Sequence, residues 1–390
     1  MKRTVKESVS LLTTLMLCVF LHGCGSQQEL TVADSSSEVS VSDSSAAEII
    51  QPARKHTFAD IEADNDGVWK NDSEVYSDFI GKLALDRYKN GKTNGEYLIA
   101  TDDDILFFFA NDEYENDSKT SINAYSTFEI GSVTKTFTAV SVLQLAERGK
   151  LSLNDTLDKY FPKYEKGKDI TIDQLLHMRG GIYDYCDENE IIHFFGKDDP
   201  ETQHKIWFDG FTDEEFLQAL YNADLRTPPG TATHYSNTEY HLLGMIIEQV
   251  SGISYAEYLE KNIFGVCGMK HSSATKTGDV TTVPKAVGDA ANNTDNGYFA
   301  CQNISSGDGD IHSCAADLLA FDRALKNGRL VSEDSLARMF DTKSGYGCGI
   351  MKFAGHKYGH EGATFCYITE NYMLDNPEFG TLYFIKLTHS

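Results

Sequence analysis

The strongest constraint on the fold is the placement of the β-patterned runs, which concentrate at the two ends of the body of the chain. Near the front, Glu96–Thr101 and Ile105–Ala110 are joined by Asp102-Asp103-Asp104, which reads as a hairpin. Near the back, Tyr346–Phe353, Ala363–Thr369 and Thr381–Thr388 read as strands. Between them, apolar residues recur at helical spacing. Phe211–Asn222 carries Thr212 and Glu215 at capping-box spacing. Asn237–Val250 is a helix ending at Gly252, and Ala315–Lys326 is another. Residues 73–90 add a helix before the hairpin, through Val75, Phe79, Ile80, Leu83 and Tyr88. The first and last parts can pair into one antiparallel β-sheet flanked by helices. The mainly helical middle, about residues 126–310, is then inserted as a second lobe, giving an α+β fold. A site is expected in the cleft between the lobes.

A chain of 390 residues, 41% hydrophobic and 24% charged, has ample material for such a core. With 34 Lys and Arg against 59 Asp and Glu, the formal net charge is -25. Phosphate binding is driven by basic side chains, so nucleic acid is a poor partner, as is an anionic lipid surface met by charge alone.

The front of the chain reads as an address. Lys2, Arg3 and Lys6 precede a mostly apolar run, Leu11 to Leu21, that falls short of the roughly 20 residues a spanning helix needs. It fits a secretory signal. Leu21-His22-Gly23-Cys24 resembles a bacterial lipobox, which implies a signal peptide over residues 1–23 and lipidation of Cys24. An ordinary export signal with Cys24 merely nearby is the alternative. Residues 24–57 are expected to form a tether, because residues 25–50 are rich in Ser, Asp and Glu and lack aromatics. The expected location is extracytoplasmic, either held at the membrane as a lipoprotein or secreted. The body is then 58–390. Its cysteines, Cys186, Cys267, Cys301, Cys314, Cys348 and Cys366, show no C-x-x-C spacing and leave every disulfide pairing open.

Three short residue sets carry chemistry. Gly131-Ser132-Val133-Thr134-Lys135 follows an extended stretch and opens a helix with a buried apolar face. Ser132 at the helix N-terminus would feel the free N–H groups and the dipole, and Lys135, at i+3, shares its face. A serine hydroxyl needs a base, and a buried lysine can serve. Taken alone, the pair is equally a helix cap followed by a surface lysine. Tyr235-Ser236-Asn237 follows Pro228-Pro229-Gly230 and offers a phenol and an amide on a rigid turn; alone, it is a packed aromatic and a cap. His360-Glu361-Gly362-Ala363 enters a strand, where glycine lets another backbone approach; alone, it is a turn with a surface histidine.

Taken together, the order S-x-x-K, Y-x-N, H-x-G resembles the serine β-lactamase and penicillin-binding protein superfamily. The likeness is to its class C β-lactamase-like branch, which includes DD-carboxypeptidases, D-aminopeptidases and esterases. Supporting phrases are Phe128–Lys135, Ile172–Ile182, Pro229–Asn237, Ser254–Met269 and Ala316–Phe321, and the likeness covers about residues 58–388. It implies that Ser132 is acylated and that Lys135 and Tyr235 share the general-base and proton-shuttle work. It implies that Asn237 orients the substrate amide and His360 lies on the substrate side. It also implies that the Ser132 and Ala363 amides form an oxyanion hole, with Gly362 letting the strand come close. No metal or cofactor is implied. The substrate would be a small molecule or peptide with an amide or ester bond, such as D-amino-acid peptides of the cell wall.

The sequence departs from the branch in four places. β-Lactamases usually carry a lysine at His360, which is only partly charged at neutral pH, and a threonine at Glu361. An efficient β-lactamase is therefore the second reading, and a non-catalytic penicillin-binding sensor or binding protein the third. Met178 and Gly180 replace a His and a Ser common in relatives and read as structural. Relatives usually add a helix after the last strand, whereas this sequence ends at Ser390. That leaves open a dispensable helix or a truncation that weakens folding.

Overall fold

The structure, a computed structural model, describes residues 55–61, 68–70, 94–111, 122–206, 210–274, 307–364, 367–377 and 379–389. The expected leader and tether up to residue 54, the expected helix at 73–90, Cys301 and Cys366 lie outside them.

The strands among the described residues are β1 (Val68–Lys70), β2 (Asn94–Thr101), β3 (Ile105–Asn111), β4 (Phe128–Glu129), β5 (Ser273–Ala274), β6 (Ile311–Ser313), β7 (Met351–Phe353), β8 (Lys357–Ala363), β9 (Tyr367–Asn376) and β10 (Gly380–His389). Seven form one sheet in the order β1-β3-β2-β10-β9-β8-β7. The expected hairpin, β2 and β3, lies beside the last strand, with Phe384 opposite Ile99. The two ends of the body thus close one antiparallel sheet. Side chains alternate across it. Leu98, Ala100, Tyr383, Ile385 and Leu387 join the main core, while Ile99, Phe107, Phe109 and Leu382 form a second apolar cluster.

The four longest helices among the described residues are α1 (Thr134–Glu147), α2 (Asp213–Asn222), α3 (Asn237–Ser251) and α4 (Ala315–Lys326). Every residue of α1 from Thr134 to Leu145 is buried, as befits a helix enclosed on all sides. Its Phe137 stacks on Phe321 of α4 at 3.8 Å between ring centroids. α2 starts with the expected reciprocal cap: the Thr212 hydroxyl accepts from the Glu215 amide, and the Glu215 carboxylate accepts from the Thr212 amide. α3 ends at Gly252, whose φ of 77° is the left-handed stop that glycine tolerates best. α4 has the predicted bounds, and its Arg323 donates to the carbonyls of Thr101 and Asp104 at the β2–β3 turn. Among the described residues no helix is long and apolar enough to cross a membrane.

Two C-terminal expectations need correction. Of Tyr346–Phe353, only Met351–Phe353 is strand. Residues 346–350 are buried throughout. A Cβ on Gly347 would lie 2.1 Å from the Met339 carbonyl oxygen, and one on Gly349 2.5 Å from that of Lys135. The apolar run reflects packing against helices on irregular backbone, not pairing in a sheet. Ala363–Thr369 in turn straddles a hairpin corner, where the Thr364 amide donates to the Tyr367 carbonyl at 2.9 Å.

A small second sheet, ordered β4-β6-β5, sets the geometry around the start of α1. Phe128 pairs with Ser313, and the Ile130 amide donates to the Ile311 carbonyl at 3.0 Å. That pairing lays residues 307–310 along α1, where the Thr138 hydroxyl donates to the Gly307 carbonyl at 2.6 Å.

Candidate active site

From Thr127 to Leu145 every residue is buried except Ser132. Ser132 is the middle residue of a 3-10 turn, Gly131–Val133, that leads into α1. It therefore sits two residues ahead of the first residue of α1, on the 3-10 turn that leads into it, with Lys135 in the first turn of α1. Strand β8 runs tight against this turn. A Cβ on Gly362 would lie 1.9 Å from the Ile130 carbonyl oxygen and 3.0 Å from the Ser132 amide nitrogen. Gly131, at φ 49°, would carry its Cβ 3.0 Å from the Ala363 amide nitrogen. Only glycine at 362 allows the approach that sets the amides of Ser132 and Ala363 on neighbouring backbone.

Lys135 is fully buried. Its ammonium donates to Ser132 Oγ at 2.9 Å, to Asn237 Oδ1 at 2.6 Å and to the Asp308 carbonyl at 2.6 Å, which uses all three protons. Burial pulls its pKa down to about 8, against the opposing pull of Asp308, Cys186, Asp184 and Asp310. The Tyr235 hydroxyl donates to the same Ser132 Oγ at 2.8 Å, and Lys135 Nζ lies 5.0 Å from the centre of the Tyr235 ring. Burial raises the phenol well above its ordinary range, so Tyr235 stays protonated. One half-buried hydroxyl thus meets one tunable amine and one fixed phenol.

The turn that carries Tyr235 is clamped by Met178, at φ 55°. The His234 amide donates to the Met178 carbonyl at 2.9 Å and the Ser236 amide to Met178 Sδ at 3.3 Å. Buried Glu239 accepts from the Gly180 amide at 3.1 Å, and a Cβ on Gly180 would lie 2.9 Å from Glu239 Oε1. Both positions therefore serve the shape of the loop. Asn237, expected to face a substrate, is tied at both ends of its amide: Oδ1 accepts from Lys135, and Nδ2 donates to Asp184 at 2.9 Å.

His360 requires a correction. It is 2% exposed, so it presents almost no surface to a substrate, and its ring centroid lies 6.1 Å from that of Tyr235. Its Nδ1 donates to the Glu361 carbonyl at 2.6 Å, since a carbonyl only accepts, and its Nε2 accepts from the Tyr346 hydroxyl at 2.8 Å. Burial, reinforced by Lys135, lowers its pKa to about 3. It is neutral at pH 7, where partial charge was expected. Glu361, next along β8, points to the other face: its carboxylate accepts from the Tyr372 hydroxyl, with Glu370, Lys357 and Lys386 as its charged neighbours. It does not repel anything bound at Ser132.

Three residues of the site escaped the motif reading: Asp184, Asp308 and Tyr346. The segment Asp308-Gly309-Asp310 reads only as a turn, yet the Asp308 carbonyl faces Lys135, and its carboxylate accepts from the Tyr185 hydroxyl at 2.8 Å. Asp184 stands between Tyr183 and Tyr185, ahead of Asp187, Glu188 and Glu190, and nothing in that acidic run singles it out. Among the described residues Cys186, Cys267, Cys314 and Cys348 are free thiols.

Comparison with known proteins gives the family and the fold. The family model described as Beta-lactamase matches residues 83–360. Penicillin-binding protein 4* of Bacillus subtilis strain 168 is 30% identical over 264 residues, covering 63% of this chain and 55% of that protein. The chain spans about half the length of the curated relatives it matches, 56% and 55% of the first two. The crystal structure of a penicillin binding protein from Bacillus halodurans superposes with a TM-score of 0.63 at 26% identity, covering 76% of this chain and 92% of that one. The D-amino acid amidase of Ochrobactrum anthropi SV3 shares the fold, with a TM-score of 0.59 at 21% identity over 78% of this chain and 90% of that one. The chain belongs to the Beta-lactamase family, within the serine β-lactamase and penicillin-binding protein superfamily.

Proposed function

We propose that this protein is a serine hydrolase that opens an amide or ester bond through an acyl-enzyme on Ser132. The observation that carries the reading is the convergence of Lys135 Nζ and Tyr235 Oη on Ser132 Oγ, at 2.9 and 2.8 Å. With a pKa of about 8, Lys135 is neutral in about a tenth of molecules at pH 7. In that form Nζ accepts the Ser132 proton as Oγ attacks the carbonyl carbon. The tetrahedral oxygen takes its charge against the amides of Ser132 and Ala363; losing one such donor typically costs about 3–4 kcal/mol. Tyr235 then gives its proton to the departing nitrogen or oxygen and takes in its place the one Lys135 received from Ser132, the bond to the leaving group breaks, and water releases the acyl group by the reverse relay. Tyr235 relays and does not act as the resting base, because burial keeps its phenol protonated.

His360 is neutral and buried, so it supplies no cation for a substrate carboxylate. That favours esters, amides and D-amino-acid peptides with no free carboxylate beside the scissile bond over penicillins, which carry one there. The D-amino acid amidase name of a neighbour at 21% identity is in keeping with this choice but does not carry it. The lipobox-like Cys24 supports a place outside the cytoplasm, held at the membrane by a lipid. Labelling of the full chain with a fluorophosphonate, lost in Ser132→Ala, is the expected result, followed by turnover of a D-aminoacyl anilide or a short-chain ester. Absence of labelling overturns the reading. Rapid nitrocefin turnover would make it a β-lactamase, and acylation without release a sensor.

A further inference from the structure

We infer that Asp184 is a positioning residue for the proposed acylation: it fixes which end of the Asn237 amide meets Lys135, and so aims and charges the lysine. The assignment rests on the serine hydrolase reading above. Asp184 is buried, and its carboxylate is saturated with donors. Oδ2 accepts from the Asn237 backbone amide at 3.1 Å and from Asn237 Nδ2 at 2.9 Å. Oδ1 accepts from the Cys186 amide at 3.0 Å and from its thiol at 3.3 Å. Asn237 is the first residue of α3, where an anion also meets the positive end of the helix.

A side-chain amide can present either its oxygen or its nitrogen, and Asn237 stands between two groups that each allow only one choice. Asp184 only accepts, so it takes Nδ2; the Lys135 ammonium only donates, so it takes Oδ1. With Asp184 in place, the amide cannot turn its nitrogen toward Lys135. The Tyr185 and Thr238 contacts hold this arrangement from both sides: the Tyr185 amide donates to Thr238 Oγ1 at 2.9 Å, and Thr238 Oγ1 donates to the Tyr183 carbonyl at 2.8 Å. Asp184 therefore orients Asn237, which meets the lysine that touches Ser132, without touching the serine itself.

Its charge has a second effect. The ionisable groups around Lys135 are Asp184 and Cys186 on one turn, Asp308 and Asp310 on another, Tyr235 beside it and His360 behind. Burial lifts the Tyr235 phenol and the Cys186 thiol, and lowers His360 to about 3. Asp184, raised by burial to about 6, is an anion through neutral pH and supports the lysine proton.

The test is the rate of fluorophosphonate labelling of Ser132 against pH, for the wild-type chain, Asp184→Asn and the double variant Asp184→Asn/Asn237→Asp. The isosteric D184N removes the charge and the acceptor rule together. Labelling is expected to slow by about tenfold to a hundredfold. The midpoint of its rising limb is expected to move to lower pH by about one unit, since the lysine loses an anion. The double variant returns a negative charge next to Lys135 and is expected to bring the midpoint back to or above the wild-type value. D184N with an unchanged midpoint, or a double variant whose midpoint stays low, overturns the assignment. If D184N does not fold by thermal melting, the double variant alone decides on the same criterion. If neither folds, Asp184 serves the fold alone and the assignment fails. A wild-type chain that takes no label overturns the hydrolase reading instead, and so separates the two failures.

Discussion

At Gly362 a single hydrogen in place of a side chain decides whether two backbones can meet. The missing Cβ would sit 1.9 Å from the Ile130 carbonyl oxygen, well inside contact, and both partners are backbone. Gly362→Ala must therefore push β8 away from the Gly131–Val133 turn and part the amides of Ser132 and Ala363. Acylation is expected to fall by about a hundredfold or more, the scale of a lost oxyanion donor. Stability should fall by about 1–3 kcal/mol, as for other overpacked sites. Labelling kinetics and a thermal melt on the same preparation check both, and a variant that labels at the wild-type rate would show that the two amides do not act together. The rate should also carry a rising limb near pH 8, because Lys135 must shed its proton to accept that of Ser132. Much of this site is legible in the sequence, since Ser132 with Lys135 and Tyr235 with Asn237 are neighbours along the chain. Asp184 and Asp308 are not legible: the first reaches Asn237 across 53 positions and the second reaches Lys135 across 173, distances only the closed fold removes. The position of His360 could be read, but its burial, and hence its neutrality, could not.

The elements divide along a similar line. Where local chemistry alone decides a boundary, the sequence shows it: Thr212 and Glu215 start α2, Gly252 stops α3, and Asp102-Asp103-Asp104 turns β2 into β3. Where tertiary packing decides, the pattern misleads. Residues 346–350 look like a strand because all are buried, yet they pair in no sheet: Gly349 lies against α1, Gly347 against the helix Glu333–Phe340, and Tyr346 against Tyr240 of α3 and His360 of β8. Ala363–Thr369 has no Gly, Pro, Asn or Asp to mark the corner that the hydrogen bond from Thr364 to Tyr367 closes. The locally encoded class makes a clean prediction. Thr212→Ala removes the hydroxyl that accepts from the Glu215 amide and should destabilise the protein by about 1 kcal/mol. The cap is exposed and remote from Ser132, so the labelling rate should not change. Urea denaturation and labelling together test this, and a slowed label would mean that α2 bears on the site.

Across the whole molecule, charge is distributed against the usual rule that carboxylates face water. The chain carries a formal net charge of -25, yet Glu239 and Asp322 are completely buried. Burial raises both to about 8. In the unfolded chain these groups ionise near 4, so between about pH 4 and 8 the folded protein holds protons that the unfolded chain has released. Their contribution to stability is complete below the unfolded value and is lost as pH rises through the folded one, at up to about 1.4 kcal/mol per pH unit for each group. Other groups act elsewhere. His360, lowered to about 3, favours the folded state as pH rises toward its ordinary 6.5 and has little further effect above it. Lys135, lowered to about 8, is relieved only above that pH. Carboxylates such as half-buried Asp155 and exposed Glu215, held below their usual range by hydrogen bonds, lose their contribution only in acid. Between pH 6.5 and 8 the buried acids therefore dominate, and the melting temperature should fall as pH rises. Asp322 accepts from Asn371 at 3.1 Å, with no part in the site, and Asp322→Asn replaces it by a neutral group of the same shape. Buried Glu96 is raised by burial as well, so that variant should lose about a third of the wild-type slope, as measured by calorimetry at several pH values. A slope equal to that of the wild type would mean that Asp322 is already ionised inside the fold at pH 6.5, held by a partner other than Asn371, and that burial does not set its proton.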